Sequence, residues 1–130
     1  MPRRHLDWLR QPKRKLQSAR WNLQGKFFED ACFSSQQAAE LAAKALLENR
    51  GRIELGHSVL YLLTVAGGVL QDLLDAGKVL DRYYIPTRYP NGFAEGAPMD
   101  YYDAPAAQGA IDYAQRIIDY VDQDLSRVQT

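Results

Sequence analysis

The 130-residue chain is 46% hydrophobic and 25% charged with no formal net charge, the composition of an ordinary globular domain, which argues against a disordered, collagenous or disulfide-stapled chain. No run approaches the roughly 18 consecutive apolar residues of a membrane helix, and the opening MPRRHLDWLRQPKRK holds no apolar segment that could serve as a signal peptide. Cys32 is the only cysteine, which excludes an internal disulfide or a thiolate metal cluster; the expected location is cytoplasmic, with no membrane partner.

Charge is spread unevenly. Residues 1–26 hold eight Lys/Arg against Asp7 alone, and residues 98–130 hold six Asp against Arg116 and Arg127. Two readings are open: a basic arm for a phosphate backbone, or two helices whose polar faces attract each other within or between subunits.

From Arg3 to Leu23, Trp8, Leu16, Ala19 and Leu23 recur at helical spacing. Pro12 either kinks this first helix or opens a second piece of it, and Gly25 offers a stop. The stretch KFFEDACFSSQQAAELAAKALLENRG predicts a second helix with Phe28, Cys32, Ala39, Ala43 and Leu46 on one face and Gly51 closing it. Its density of alanine favours close helix packing. After the linker RIELGH, residues 58–77 predict one central helix. Val59, Leu62, Leu63, Ala66, Val69, Leu70, Leu73 and Leu74 form its stripe, Ser58 its N-cap and Gly77 its stop. Gly67 and Gly68 in its middle weaken a helix by roughly 1 kcal/mol each and predict a close crossing there.

KVLDRYY adds at most a short helix, and Ile85 to Asp103, with three prolines and two glycines, predicts a long loop. Asp103 then caps a last helix with Pro105 in its first turn and Ala107, Ile111, Ala114, Ile118, Val121 and Leu125 as its buried stripe. The fold expected is all-α: an up-down four-helix bundle with an additional short helix and a long loop before the last helix, in one domain over residues 1–130.

Reaction centres are sparse. The chain has no Gly-rich phosphate loop, HExxH or CxxC, and its histidines are His5 and His57. Asp112, Asp119, Asp122 and Asp124 lack the Glu-x-x-His spacing of di-iron bundles. No metal site and no cofactor are expected.

Two segments carry polar chemistry. In RGRIELGH, Arg50 and Arg52 precede His57; an imidazole beside a fixed cation is suited to acid–base work on a phosphate ester, or simply packs at the start of a helix. In YYIPTRYPNGF, Arg88 lies among Tyr83, Tyr84, Tyr89 and Phe93. Such a set either grips a phosphate and stacks a base or pins the loop to the bundle while Arg88 pairs with a carboxylate.

Several of these residues together resemble a known family. Trp8-Leu9 in the first helix is followed by Phe33, Gln36, Gln37, Ala38, Ala39, Glu40, Lys44, Ala45, Leu46 and Leu47 in the run FSSQQAAELAAKALLENRG. GHSVLYLL (Gly56, His57, Leu60, Leu63) and YYIPTRYP (Tyr84, Ile85, Pro86, Arg88, Tyr89, Pro90) complete the pattern. This succession resembles the HEPN domain, the higher-eukaryote and prokaryote nucleotide-binding domain, over nearly the whole chain.

The resemblance implies a helical bundle, commonly dimeric, often encoded beside or fused to a minimal nucleotidyltransferase. Some branches are metal-independent ribonuclease toxins with an Arg, four to six residues, then His; Arg52 and Arg50 both stand at such a distance from His57. The leading expectation is a non-catalytic nucleotide- or RNA-binding interaction module of a toxin–antitoxin type system. Its binding residues would be Arg52, His57, Arg88, Tyr89 and Tyr84, its partners a second copy of the chain (a dimer or higher oligomer) and a nucleotidyltransferase. The alternatives are an endoribonuclease using Arg52 and His57, and a purely structural dimer.

Overall fold

The computed structural model describes residues 4–128, which form five α-helices and no strand. They are α1 (His5–Gln24), α2 (Phe28–Asn49), α3 (Val59–Ala66), α4 (Gln71–Asp81) and α5 (Ala104–Val128). The expected start of the first helix at Arg3 lies outside the described residues.

α1 runs unbroken through Pro12. Its buried stripe is Leu9, Pro12, Leu16 and Ala19, whereas Trp8, expected inside, is 38% exposed. α2 is the central element, packed against every other helix of the bundle. Its alanines 31, 38, 39, 42, 43 and 45 are buried together with Cys32, Leu46 and Leu47, and small side chains on so many sides let neighbours approach on more than one face. Gly51 ends it at φ 76°, where the Gly51 amide donates to Glu48 and that of Arg52 to Leu47, the paired bonds of a Schellman stop. α5 begins where Asp103 accepts from the amide of Ala106 at 2.9 Å and buries all six residues of its expected stripe, with Ala110 and Ile117.

The segment 58–77 is not one helix. Gly67 and Gly68 take φ 79° and 71°, left-handed values that a helix cannot continue through, and the chain turns there into separate helices α3 and α4. A Cβ at either glycine would meet nothing within 4 Å, so neither marks a close crossing. The crossing is at Gly77, expected as a stop but buried inside α4: a Cβ there would lie 3.1 Å from the Leu60 nitrogen. KVLD continues α4 and forms no helix of its own.

The two short helices close on each other through Asp81. Its carboxylate accepts from the Ser58 hydroxyl at 2.7 Å and from the amides of Val59 and Leu60 at 2.6 and 3.2 Å. Those amides are orphan donors of the first turn of α3, which Ser58 also caps by accepting from Tyr61.

Residues 82–103 form the long loop, with 3-10 turns at Pro90–Gly92 and Pro98–Asp100. Aromatic contacts join the loop to itself, with Phe93 stacked on Tyr101 at 4.1 Å and Tyr83 edge-on to Tyr102 at 5.8 Å, and Tyr83 and Tyr102 pack against the core. The basic and acidic ends of the chain meet within the bundle, where Lys13 on α1 reaches Asp122 on α5 at 2.8 Å and Arg20 donates to Gln115. Among the described residues no helix is long and apolar enough to cross a membrane.

Candidate functional site

One face of α2 breaks the alanine pattern. Phe33, Gln37, Glu40 and Lys44 follow one another by three or four residues, so they share a face, with Gln36 beside them. Gln36 and Glu40 are buried. Their polar groups need partners, and the linker after α2 supplies them: the Gln36 side-chain amide donates to the His57 carbonyl at 2.9 Å. His57 Nδ1 lies 3.3 Å from both Glu40 oxygens. Lys44 donates to Glu40 at 3.0 Å, Gln36 to Glu40 at 3.2 Å and Gln37 to Gln36 at 2.7 Å.

The result is a histidine held at three points. Glu40 orients its Nδ1, Gln36 anchors its backbone, and the Tyr84 ring stacks on the imidazole at 4.5 Å with 17° between planes. A carboxylate on one ring nitrogen selects the tautomer and leaves the other for a ligand; Nε2 has no hydrogen-bond partner among the described residues.

Tyr84 also brings in Arg88. The guanidinium carbon stands 4.4 Å from the centroid of Phe33, 4.6 Å from that of Tyr84 and 5.3 Å from that of Tyr89. Nε donates to the Tyr84 carbonyl at 2.8 Å. The loop folds locally to allow this, because the buried Thr87 hydroxyl donates to the Tyr83 carbonyl at 2.6 Å and ties the turn before Arg88. Arg88 has no carboxylate partner among the described residues. Three aromatic rings thus surround the cation, and its outer N–H fork is not spent on an ion pair.

His57, Tyr84, Arg88 and Tyr89 come together, and Arg52 does not join them. Its Nη1 donates to the Val65 carbonyl at 2.7 Å, and its Nη2 lies 3.7 Å from Glu54. Arg50 likewise reaches the carbonyls of Ala66 and Gly67 and the carboxylate of Asp124. Both arginines satisfy the C-terminal carbonyls of α3, whereas His57 precedes its N-terminus. Residues 59 and 65 alone are separated by about 9 Å along a helix of 1.5 Å rise per residue, and His57 lies before that start.

Sequence reasoning from chemistry alone missed Phe33, Gln36, Gln37, Glu40 and Lys44. The available signal was a cluster of amide and carboxylate side chains at helical spacing inside a segment otherwise made of alanine and leucine. Among the described residues no group of three His, Cys, Asp or Glu side chains is arranged to hold a metal ion.

A five-helix bundle with a polar face on its central helix, closed by a histidine from a linker and an arginine from a long loop, defines a class of small helical domains. The chain belongs to the HEPN domain family, which it matches over residues 5–124. A protein of known crystal structure from Thermus thermophilus is 42% identical and superposes with a TM-score of 0.90, covering 94% of this chain and 98% of that one. An archaeal HEPN homologue is 40% identical with a TM-score of 0.83, covering 96% and 99%. An HEPN domain protein from Thermotoga maritima is 31% identical with a TM-score of 0.75, covering 93% and 98%. No curated protein matches the chain.

Proposed function

We propose that the chain is a nucleotide- or RNA-binding module whose phosphate contact is Arg88, with His57 as a second contact that donates from Nε2 when both ring nitrogens carry a proton, and Tyr84 and Tyr89 as the walls of the site. The observation that carries this reading is the guanidinium set among the rings of Phe33, Tyr84 and Tyr89 with no carboxylate on it. A cation immobilised in this way has already lost its rotamer freedom, so less entropy opposes an incoming anion. The module works beside a minimal nucleotidyltransferase in a toxin–antitoxin type pair and self-associates as a dimer or larger oligomer. Ile53 and Leu55, each 85% exposed in the linker, supply apolar area for such a chain.

Titration calorimetry with nucleoside phosphates and a short single-stranded RNA tests the site. Arg88→Ala should weaken binding by about 1.5–3 kcal/mol, the range for a charge-assisted hydrogen bond. Arg88→Lys should fail to restore it, because an ammonium neither stacks as a plane nor forks. Absence of binding by the intact protein removes the reading.

The orientation of His57 by Glu40 favours a second reading, a metal-independent endoribonuclease with His57 as acid–base. Arg88, the cation beside Tyr84, would stabilise charge in place of Arg52. The two readings part in EDTA. A binding module cleaves RNA slowly or not at all, and His57→Ala weakens its binding and lowers its melting temperature without touching any cleavage. Cleavage by wild type that vanishes in a folded His57→Ala protein selects the enzyme.

A further inference from the structure

The fold uses little of the positive charge on α1. The helix carries Arg10, Lys13, Arg14, Lys15 and Arg20 against Asp7. Lys13 is neutralised by Asp122, Arg10 shares Asp7 with Arg4, and Arg20 is bonded to an uncharged amide. Arg14 and Lys15 have no carboxylate partner among the described residues.

Gln11, Arg14, Ser18 and Trp21 follow at steps of three and four, so they form one stripe with Lys15 and Gln17 at its sides. Together they line a shallow groove of about 540 Å³. The buried stripe of α1 runs through Leu9, Pro12, Leu16 and Ala19, and Trp21 takes no part in it. The residue is 76% exposed, a large apolar surface left in water on the stripe that carries two uncompensated cations.

We infer that this face of α1 is a binding track for single-stranded nucleic acid, separate from the Arg88 site. Arg14 and Lys15 would contact neighbouring phosphates, Trp21 would stack a base, and Gln11, Gln17 and Ser18 would offer hydrogen bonds without sequence preference. Uncompensated cations select a polyanion, and an open indole face selects bases that are not already stacked in a duplex. From Gln11 to Trp21 the stripe is about 15 Å long at 1.5 Å per residue, the reach of a few nucleotides. The acidic α5 of a second copy is a poorer occupant. Two of its four carboxylates, Asp122 and Asp124, are already neutralised by Lys13 and Arg50, whereas every phosphate of a nucleic-acid strand carries its charge unspent.

The chain has two tryptophans, so in a Trp8→Phe protein the emission reports Trp21 alone. Titration at low salt with oligouridine about twelve nucleotides long, within the usual site size, should quench it. Replacing both cations, Arg14→Gln with Lys15→Gln, should reduce the slope of log affinity against log salt by about 1.4, two phosphate contacts at about 0.7 each. Trp21→Ala, followed by anisotropy of a labelled oligonucleotide, should weaken binding roughly five- to a hundredfold.

Uridine monophosphate, too short to lie along the track, should bind these variants as it binds wild type; this separates failure of the track from failure of the Arg88 site. Absence of quenching, or a salt slope that the double substitution leaves unchanged, overturns the inference. So does polyglutamate binding as tightly as the oligonucleotide, which would make the face a plain anion surface. So does a wild-type oligomer that the double substitution converts to monomer, which would make it a contact between copies.

Discussion

Glu40 is the residue on which the candidate site depends for its shape. Its side chain is 7% exposed and takes an ammonium, an imidazole and two amides as neighbours within 3.5 Å. A carboxylate so far from water is tolerated only because those donors replace its hydration. Glu40→Ala leaves Gln36 with one acceptor fewer and Lys44 without its carboxylate partner. The expected loss is about 1–3 kcal/mol of stability in urea unfolding, with His57 released from its stacked position on Tyr84. An unchanged unfolding midpoint would show that the network contributes nothing to the fold. The chain signals this residue only indirectly, since a lone glutamate in a helix is ordinarily solvated and what marks Glu40 is the alanine around it. Arg52 teaches the converse: four intervening residues suggest contact with His57, but its side chain turns toward the opposite end of α3.

Glycines decide the elements. Gly77 lets α4 cross α3 with Leu60 backbone atoms at 3.1 and 3.3 Å from where a Cβ would be. Gly77→Ala should therefore cost about 1–3 kcal/mol, the usual penalty for overpacking where backbone must shift. Gly109 lies in α5 with open space around its Cβ position and no positive φ, and Gly109→Ala should stabilise by about 0.4–1 kcal/mol by restricting the unfolded chain. Thermal melts of the two variants should move in opposite directions, and a rise for both would mean that α3 and α4 are not closely apposed. Apolar periodicity continues across Gly67 and Gly68, so the pattern reads as one helix although the backbone turns there. The spacing of leucines records which side faces the core. It does not record that the chain reverses between them.

At the scale of the molecule, the interior where α2, α5 and the long loop meet responds to alkali. Burial, with Asp103 and Glu29 adding to it, pushes the Cys32 thiol up to about 12. Burial likewise raises the hydroxyls of Tyr83 and Tyr102, with Cys32 contributing to both. The folded state therefore keeps protons that the unfolded chain gives up. The stabilisation is complete below the ordinary thiol value of about 9 and declines as pH rises through and above it. Melting temperature should fall between about pH 9 and 11 while iodoacetamide leaves Cys32 unmodified in the folded protein; rapid alkylation at pH 8 would contradict its burial.

The chain by itself determines that the fold is helical, where α2 and α5 lie and which of their faces is inside, because periodicity and caps are local and survive without neighbours. It carries Asp103 and Ser58 as caps for the same reason. Tertiary structure alone decides that residues 58–77 fold back as two helices, that the arginines of RGR serve the end of α3, and that Glu40, His57, Tyr84 and Arg88 form one site. Those outcomes depend on which buried donor meets which acceptor across long stretches of chain, 17 residues from Glu40 to His57 and further still from Phe33 on α2 to Arg88 in the loop before α5. Only closure of the bundle brings such groups within bonding distance.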